Sequence, residues 1–145
     1  MPVPYVYVAG PLFNSHEREY IERIAAALEA AGYRTFVPHR DGDHPAPENE
    51  TPEERFHRIF HTDLNAMIQA DFATALLTGA DTDSGTAAEV GWMAAMGKPV
   101  YGITDDFRKP LNIMLWGFCR EGKLVARTID ELIEMVKKYS PITES

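Results

Sequence analysis

Cysteine is almost missing from this chain. Cys119 is the only one in 145 residues, so no internal disulfide framework is possible and a reducing compartment is expected. Long apolar runs are missing too, and nothing approaches the roughly 20 residues that span a bilayer. The opening Met1-Pro2-Val3-Pro4 lacks the basic-then-apolar layout of a secretory signal. The expectation is a cytoplasmic protein with no membrane partner. Positive charge is scarce: 14 Lys and Arg face 22 Asp and Glu, a net charge of −8. That speaks against a nucleic-acid polymer as partner, because a phosphate backbone calls for a basic stripe. It leaves room for a small ligand in a local pocket.

The usual phosphate and nucleophile motifs are absent as well. Gly10-Pro11 interrupt an apolar stretch, but AGPLFN contains neither G-x-G-x-x-G nor G-x-x-x-x-G-K-[ST]. No serine sits in the strand-to-helix elbow that nucleophilic serine chemistry needs. His57 and His61 have the i, i+4 spacing of a metal pair, yet no glutamate follows His57 as in H-E-x-x-H. They are read as surface or lid-facing residues, and neither a metal nor a cofactor is expected.

What the sequence does contain is an alternation of strand and helix patterns. Val3 to Ala9 is β-branched and aromatic, and Tyr33 to Val37, Phe72 to Leu77, Pro99 to Ile103 and Lys123 to Ala126 read as further strands. Between them, Asn14 with Glu17 announces a helix whose apolar face is Tyr20, Ile24, Ala27, Leu28 and Ala31, ended by Gly32. A second helix runs from about Pro52 to Gln69, with Phe56, Ile59, Phe60, Leu64, Met67 and Ile68 as its buried stripe. Helices over Ser84–Met96, Leu111–Phe118 and Ile129–Tyr139 follow. Pro38 to Pro52 carries four prolines and almost nothing apolar, and reads as a long loop, a candidate lid. Such alternation predicts an α/β fold. Residues 1–145 form one domain, a doubly wound five-stranded parallel sheet, Rossmann-like or flavodoxin-like, with helices on both faces. Ligands of such sheets bind beyond the carboxyl ends of the strands.

Three acids fall near that edge. Asp63 lies on the second long helix, and Asp83 and Glu89 flank the turn in DSGTAAEVG. Taken alone, each has an ordinary explanation. Thr86-x-x-Glu89 has the form of a capping box, Asp83 suits a turn, and Asp63 suits a solvated helix face. Glu89 at a helix start is also where a catalytic carboxylate would be held ionised and aimed at the crevice.

Together the segments resemble the nucleoside 2-deoxyribosyltransferase family over most of the chain. The resemblance is carried by VYVAGPLF, by Asp63-Leu64-Asn65, by DSGTAAEVGWMAAMGKPVYG and by KPLNIMLWG from Lys109 to Gly117. It implies that Glu89 is the nucleophile, that Tyr7 orients it, and that Asp63 and Asp83 face the base. It implies that Gly10 and Phe13 line the pocket, and that Asn112 and Met114 are lent to a neighbouring subunit's site, hence a homo-oligomer. The implied reaction moves 2-deoxyribose between nucleobases through a covalent deoxyribosyl-Glu89 intermediate, with retention. The implied partners are 2′-deoxynucleosides and free nucleobases. Sister enzymes of this resemblance hydrolyse 2′-deoxynucleoside 5′-monophosphates, holding the phosphate partly with serines where this chain has Asp83 and Asn112. An acid there favours nucleosides, with hydrolysis of the same bond as the alternative activity.

Overall fold

A computed structural model describes residues 3–42, 46–79, 81–106 and 110–143. Lys109, which opens KPLNIMLWG, lies outside the described residues, as do 43–45 of the proline-rich segment. Five strands, β1 (Tyr5–Ala9), β2 (Arg34–Phe36), β3 (Phe72–Leu76), β4 (Val100–Ile103) and β5 (Val125–Ala126), form one sheet in the order β2-β1-β3-β4-β5. Every neighbouring pair is parallel. This is the flavodoxin-like one of the two orders that the alternating pattern leaves open. All of β3 and β4 is buried. A parallel sheet covered on both faces needs such unbroken apolar strands. The strand order reverses between β1 and β3, which opens a crevice at their carboxyl ends.

The first helix, α1 (Ser15–Ala30), is capped as expected, with the Asn14 carboxamide oxygen accepting from the Glu17 N–H at 2.9 Å. Its buried residues are Ile21, Ile24, Ala25 and Leu28. The predicted face was therefore slightly rotated, since Tyr20, Ala27 and Ala31 are only partly covered. The partner on that flank of the sheet is α5 (Ile129–Tyr139), which buries Leu132 and Val136.

The second helix, α2 (Pro52–Gln69), departs further from expectation. It starts with a capping box between Thr51 and Glu54. Of the expected stripe, however, only Met67 is buried, whereas Phe56, Phe60 and Ile68 are 72%, 61% and 54% exposed. The sheet explains part of this. Only the last turns of α2, through Leu64, Ala66 and Met67, lie on the core, and the side chains of its first turns are exposed.

The expected loop from Pro38 is also corrected. Pro38–Gly42 forms a π-helical turn. Local polar bonds build it where apolar periodicity is lacking. The Asp41 carboxylate accepts from the Val37 N–H at 2.9 Å, Arg40 donates to Glu29 at 3.1 Å and to Thr35 at 3.0 Å, and His39 meets Glu22 at 3.1 Å. The two remaining helices are α3 (Ser84–Ala95) and α4 (Ile113–Phe118). Beyond α3, Gly97 takes φ +76°, a left-handed value suited to glycine.

The placement of α2 has a measurable consequence. Met67→Ala should cost about 2–5 kcal/mol in chemical denaturation, while the larger truncation Phe60→Ala should cost less than about 0.5 kcal/mol. Equal costs would contradict the orientation of this helix.

Candidate active site

Tyr7 sits in the middle of β1 and is completely buried. Its hydroxyl donates a hydrogen bond to the Glu89 carboxylate oxygen Oε2. Burial, with Glu89 and Asp63 nearby, pushes the Tyr7 phenol far above its ordinary value, so it remains a donor at any relevant pH. The ring is fixed from behind by Phe36, its register partner on β2, stacked at 5.6 Å between centroids and 17° between planes.

Glu89 lies in the second turn of α3, not at its start. The N-cap is Asp83, whose Oδ2 accepts from both the N–H and the hydroxyl of Thr86 at 3.0 Å. The expected Thr86-to-Glu89 capping box is therefore corrected. Thr86 is the residue being capped, which frees the Glu89 side chain to reach Tyr7. Glu89 is lifted from 4.5 to about 7. Loss of water is the largest cause; the bond from Tyr7 opposes it, and the charges of Asp63 and Asp83 add to it. Tyr7, Asp63, Asp83 and Glu89 thus form one electrostatically coupled group at the β1/β3 crevice, drawn from β1, α2 and α3.

The other expected site residues are placed differently. Gly10 follows β1, and a Cβ there would stand 2.4 Å from Ile21 Cδ1 and 3.0 Å from Leu76 Cβ. Close packing already demands a glycine at this point. Phe13 and Met114 are 77% and 61% exposed. Asn112 caps α4, its carboxamide oxygen accepting from the Met114 N–H at 2.9 Å and the Leu115 N–H at 3.4 Å. Asn112 also lines a cleft of about 610 Å³ with Asp81, Thr104, Trp116 and Arg127. None of Tyr7, Asp63, Asp83 and Glu89 lines that cleft. Within one chain, then, the acids and Tyr7 come together while Phe13, Asn112 and Met114 stand outside the group. His57 and His61 have ring centroids 4.3 Å apart, and no cluster of three metal-binding side chains occurs among the described residues. No motif in the amino-acid sequence singles out Phe36. Its one signal is the strand register that sets it beside Tyr7.

A half-buried carboxylate bonded to a phenol can act as a nucleophile or a base, and ionising it costs the fold free energy. Because the folded value is raised, the stability linked to Glu89 is complete below about pH 4.5 and is lost as pH rises through about 7. Glu89→Gln should therefore gain on wild type, by on the order of a few kcal/mol, between about pH 5 and about pH 8. Denaturant melts at the two pH values check this, and a pH-independent difference would contradict it.

Comparison with known proteins agrees with this architecture. A curated Schizosaccharomyces pombe protein, itself described as uncharacterized, is 34% identical over 111 residues. The match takes in 73% of this chain and 52% of that protein, so the chain spans about half the length of its relative. Among solved structures, a conserved protein from Enterococcus faecalis superposes with a TM-score of 0.81 at 21% identity, covering 94% of this chain and 99% of that one. A 2-deoxyribosyltransferase from Bacillus psychrosaccharolyticus gives 0.77 at 24% identity, covering 97% and 98%. A CMP N-glycosidase from Clostridium botulinum gives 0.62 at 20% identity, covering 93% and 98%. At these identities the structural matches speak for the shared fold. The family model described as nucleoside 2-deoxyribosyltransferase matches residues 6–130, and this chain belongs to that family.

Proposed function

We propose that this protein is a nucleoside 2-deoxyribosyltransferase, exchanging nucleobases on 2-deoxyribose through a covalent deoxyribosyl-Glu89 intermediate. The observation that carries this is the Glu89 carboxylate held by the Tyr7 hydroxyl with Asp63 and Asp83 beside it. In the first step a Glu89 oxygen forms a bond to C1′ as the bond from C1′ to the base nitrogen breaks, and the base leaves with the electron pair. Asp63 supplies the proton that the leaving base takes up. Asp83 is the weaker choice for this step, because its Oδ2 already accepts two bonds in the α3 cap. Its other oxygen is left to accept from an N–H on the base.

In the second step an incoming base attacks C1′, Glu89 leaves as carboxylate, and Asp63 takes back a proton. Two displacements give retention. Tyr7 occupies Oε2, so Oε1 is the attacking oxygen. The neighbouring acids would repel a dianionic phosphate, which favours nucleosides over nucleotides as substrates. Exposed Phe13, Ile113 and Met114 (77%, 79% and 61%) support a homo-oligomer in which a neighbour brings Asn112 and Met114 to each site.

The fold shared with a CMP N-glycosidase makes hydrolysis of the same bond the competing outcome. Incubation with deoxyinosine, with and without adenine, separates the two. Transfer predicts deoxyadenosine only when adenine is present. Hypoxanthine release at equal rates in both arms would show hydrolysis, and no turnover with deoxynucleosides would refute the enzyme. Since the ionised form attacks, the rate should fall as pH drops through about 7, and a rate flat down to about pH 5 would contradict that role for Glu89.

A further inference from the structure

The back of the site is formed by a residue that no motif marks. Gly42 ends the π-helical turn after β2 and is buried. Its φ is not in the left-handed region, so conformation does not call for glycine here. Space does. A Cβ on Gly42 would lie 2.7 Å from Asp63 Oδ1 and 3.3 Å from Phe36 Cζ. The first distance is below any real contact, and the second is tight against a ring that is itself stacked on Tyr7. One missing side chain thus borders both the acid and the aromatic support that face the Tyr7–Glu89 pair.

We propose that Gly42 and Phe36 are positioning residues of the active site: the bare backbone of Gly42 sets the seat of the Asp63 carboxylate, and the Phe36 ring sets that of the Tyr7 phenol. This rests on Glu89 being the reactive carboxylate. The nearest atom, Asp63 Oδ1, is the far end of a flexible side chain, so an added Cβ would move this carboxylate rather than the backbone. Asp63 is on α2 and can move only by changing rotamer or by tilting the helix, and Phe36 is fixed between the turn and Tyr7. The groups that bear on Glu89 are Tyr7 from β1, Asp63 from α2 and Asp83 from α3. Of these, Asp63 and Tyr7 are the two that the turn can displace. The Pro38–Gly42 turn is then a wall of the site, and the position of the Asp63 carboxylate is set from the element that precedes its own helix.

The test is a titration that needs no turnover, so its failure is separate from failure of the transfer reaction. The Glu89 carboxyl is followed by 13C NMR in wild type, Gly42→Ala, Asp63→Asn and the double variant. Gly42→Ala should move the Glu89 midpoint by roughly half a pH unit or more, and the same change on the Asp63→Asn background should move it far less, because the two act through one carboxylate. An unmoved midpoint in folded Gly42→Ala, or an equal shift on both backgrounds, would overturn the proposal for Gly42. Phe36→Leu keeps the test open if Gly42→Ala does not fold. Removing the stack should shift the Glu89 midpoint through Tyr7, and a midpoint equal to wild type would overturn the positioning role of this wall.

Discussion

The site hangs on one hydrogen bond, from the buried Tyr7 hydroxyl to the Glu89 carboxylate. It joins β1 to the second turn of α3 at the crevice where the strand order reverses. Without it, Glu89 would be a desolvated charge near two other acids, and the cheapest response would be protonation. The phenol is the one group in the set that lowers Glu89 rather than raising it. It keeps the carboxylate within reach of neutral pH without adding a cation that would attract a phosphate.

The fold supplies this geometry through ordinary means. A parallel sheet with both faces covered buries Tyr7 completely, and its register delivers Phe36 as backing for the ring. Asp83 does two jobs at once. It caps α3 through Oδ2, which fixes where the helix starts and therefore where Glu89 points, and its charge adds to the load on Glu89. Stability and chemistry pull in opposite directions at Glu89. A neutral side chain would suit this half-buried position better, and the ionised one is what the proposed displacement at C1′ requires.

Much of this was legible in the amino-acid sequence, for physical reasons. Continuous apolar strands and alternating helix patterns leave few alternatives to a parallel α/β sheet, so the fold class followed, while the choice between Rossmann-like and flavodoxin-like order came from the strand pairing. Asp63, Asp83 and Glu89 each had an ordinary explanation taken alone, and it was the resemblance carried by Asp63-Leu64-Asn65, DSGTAAEVGWMAAMGKPVYG and KPLNIMLWG that singled them out together. Local rules failed where tertiary context took over. Thr86-x-x-Glu89 has the spacing of a capping box, yet Asp83 wins the cap because the helix starts one residue after it. Phe56 and Phe60 have helical core spacing, yet they lie on turns of α2 that the core does not cover. Pro38–Gly42 has no apolar period to read, and its turn is made by polar side chains whose partners are on other elements. Phe36 and Gly42 were invisible because their importance is a distance to residues remote in sequence.

The central claim is that Glu89 forms a bond to the sugar. A slow 2′-fluoro-2′-deoxynucleoside should leave wild-type protein heavier by one fluorodeoxyribosyl group, located by peptide mass spectrometry on Glu89 and absent from Glu89→Gln. A label on another residue, or turnover of the analogue by Glu89→Gln at the wild-type rate, would contradict it.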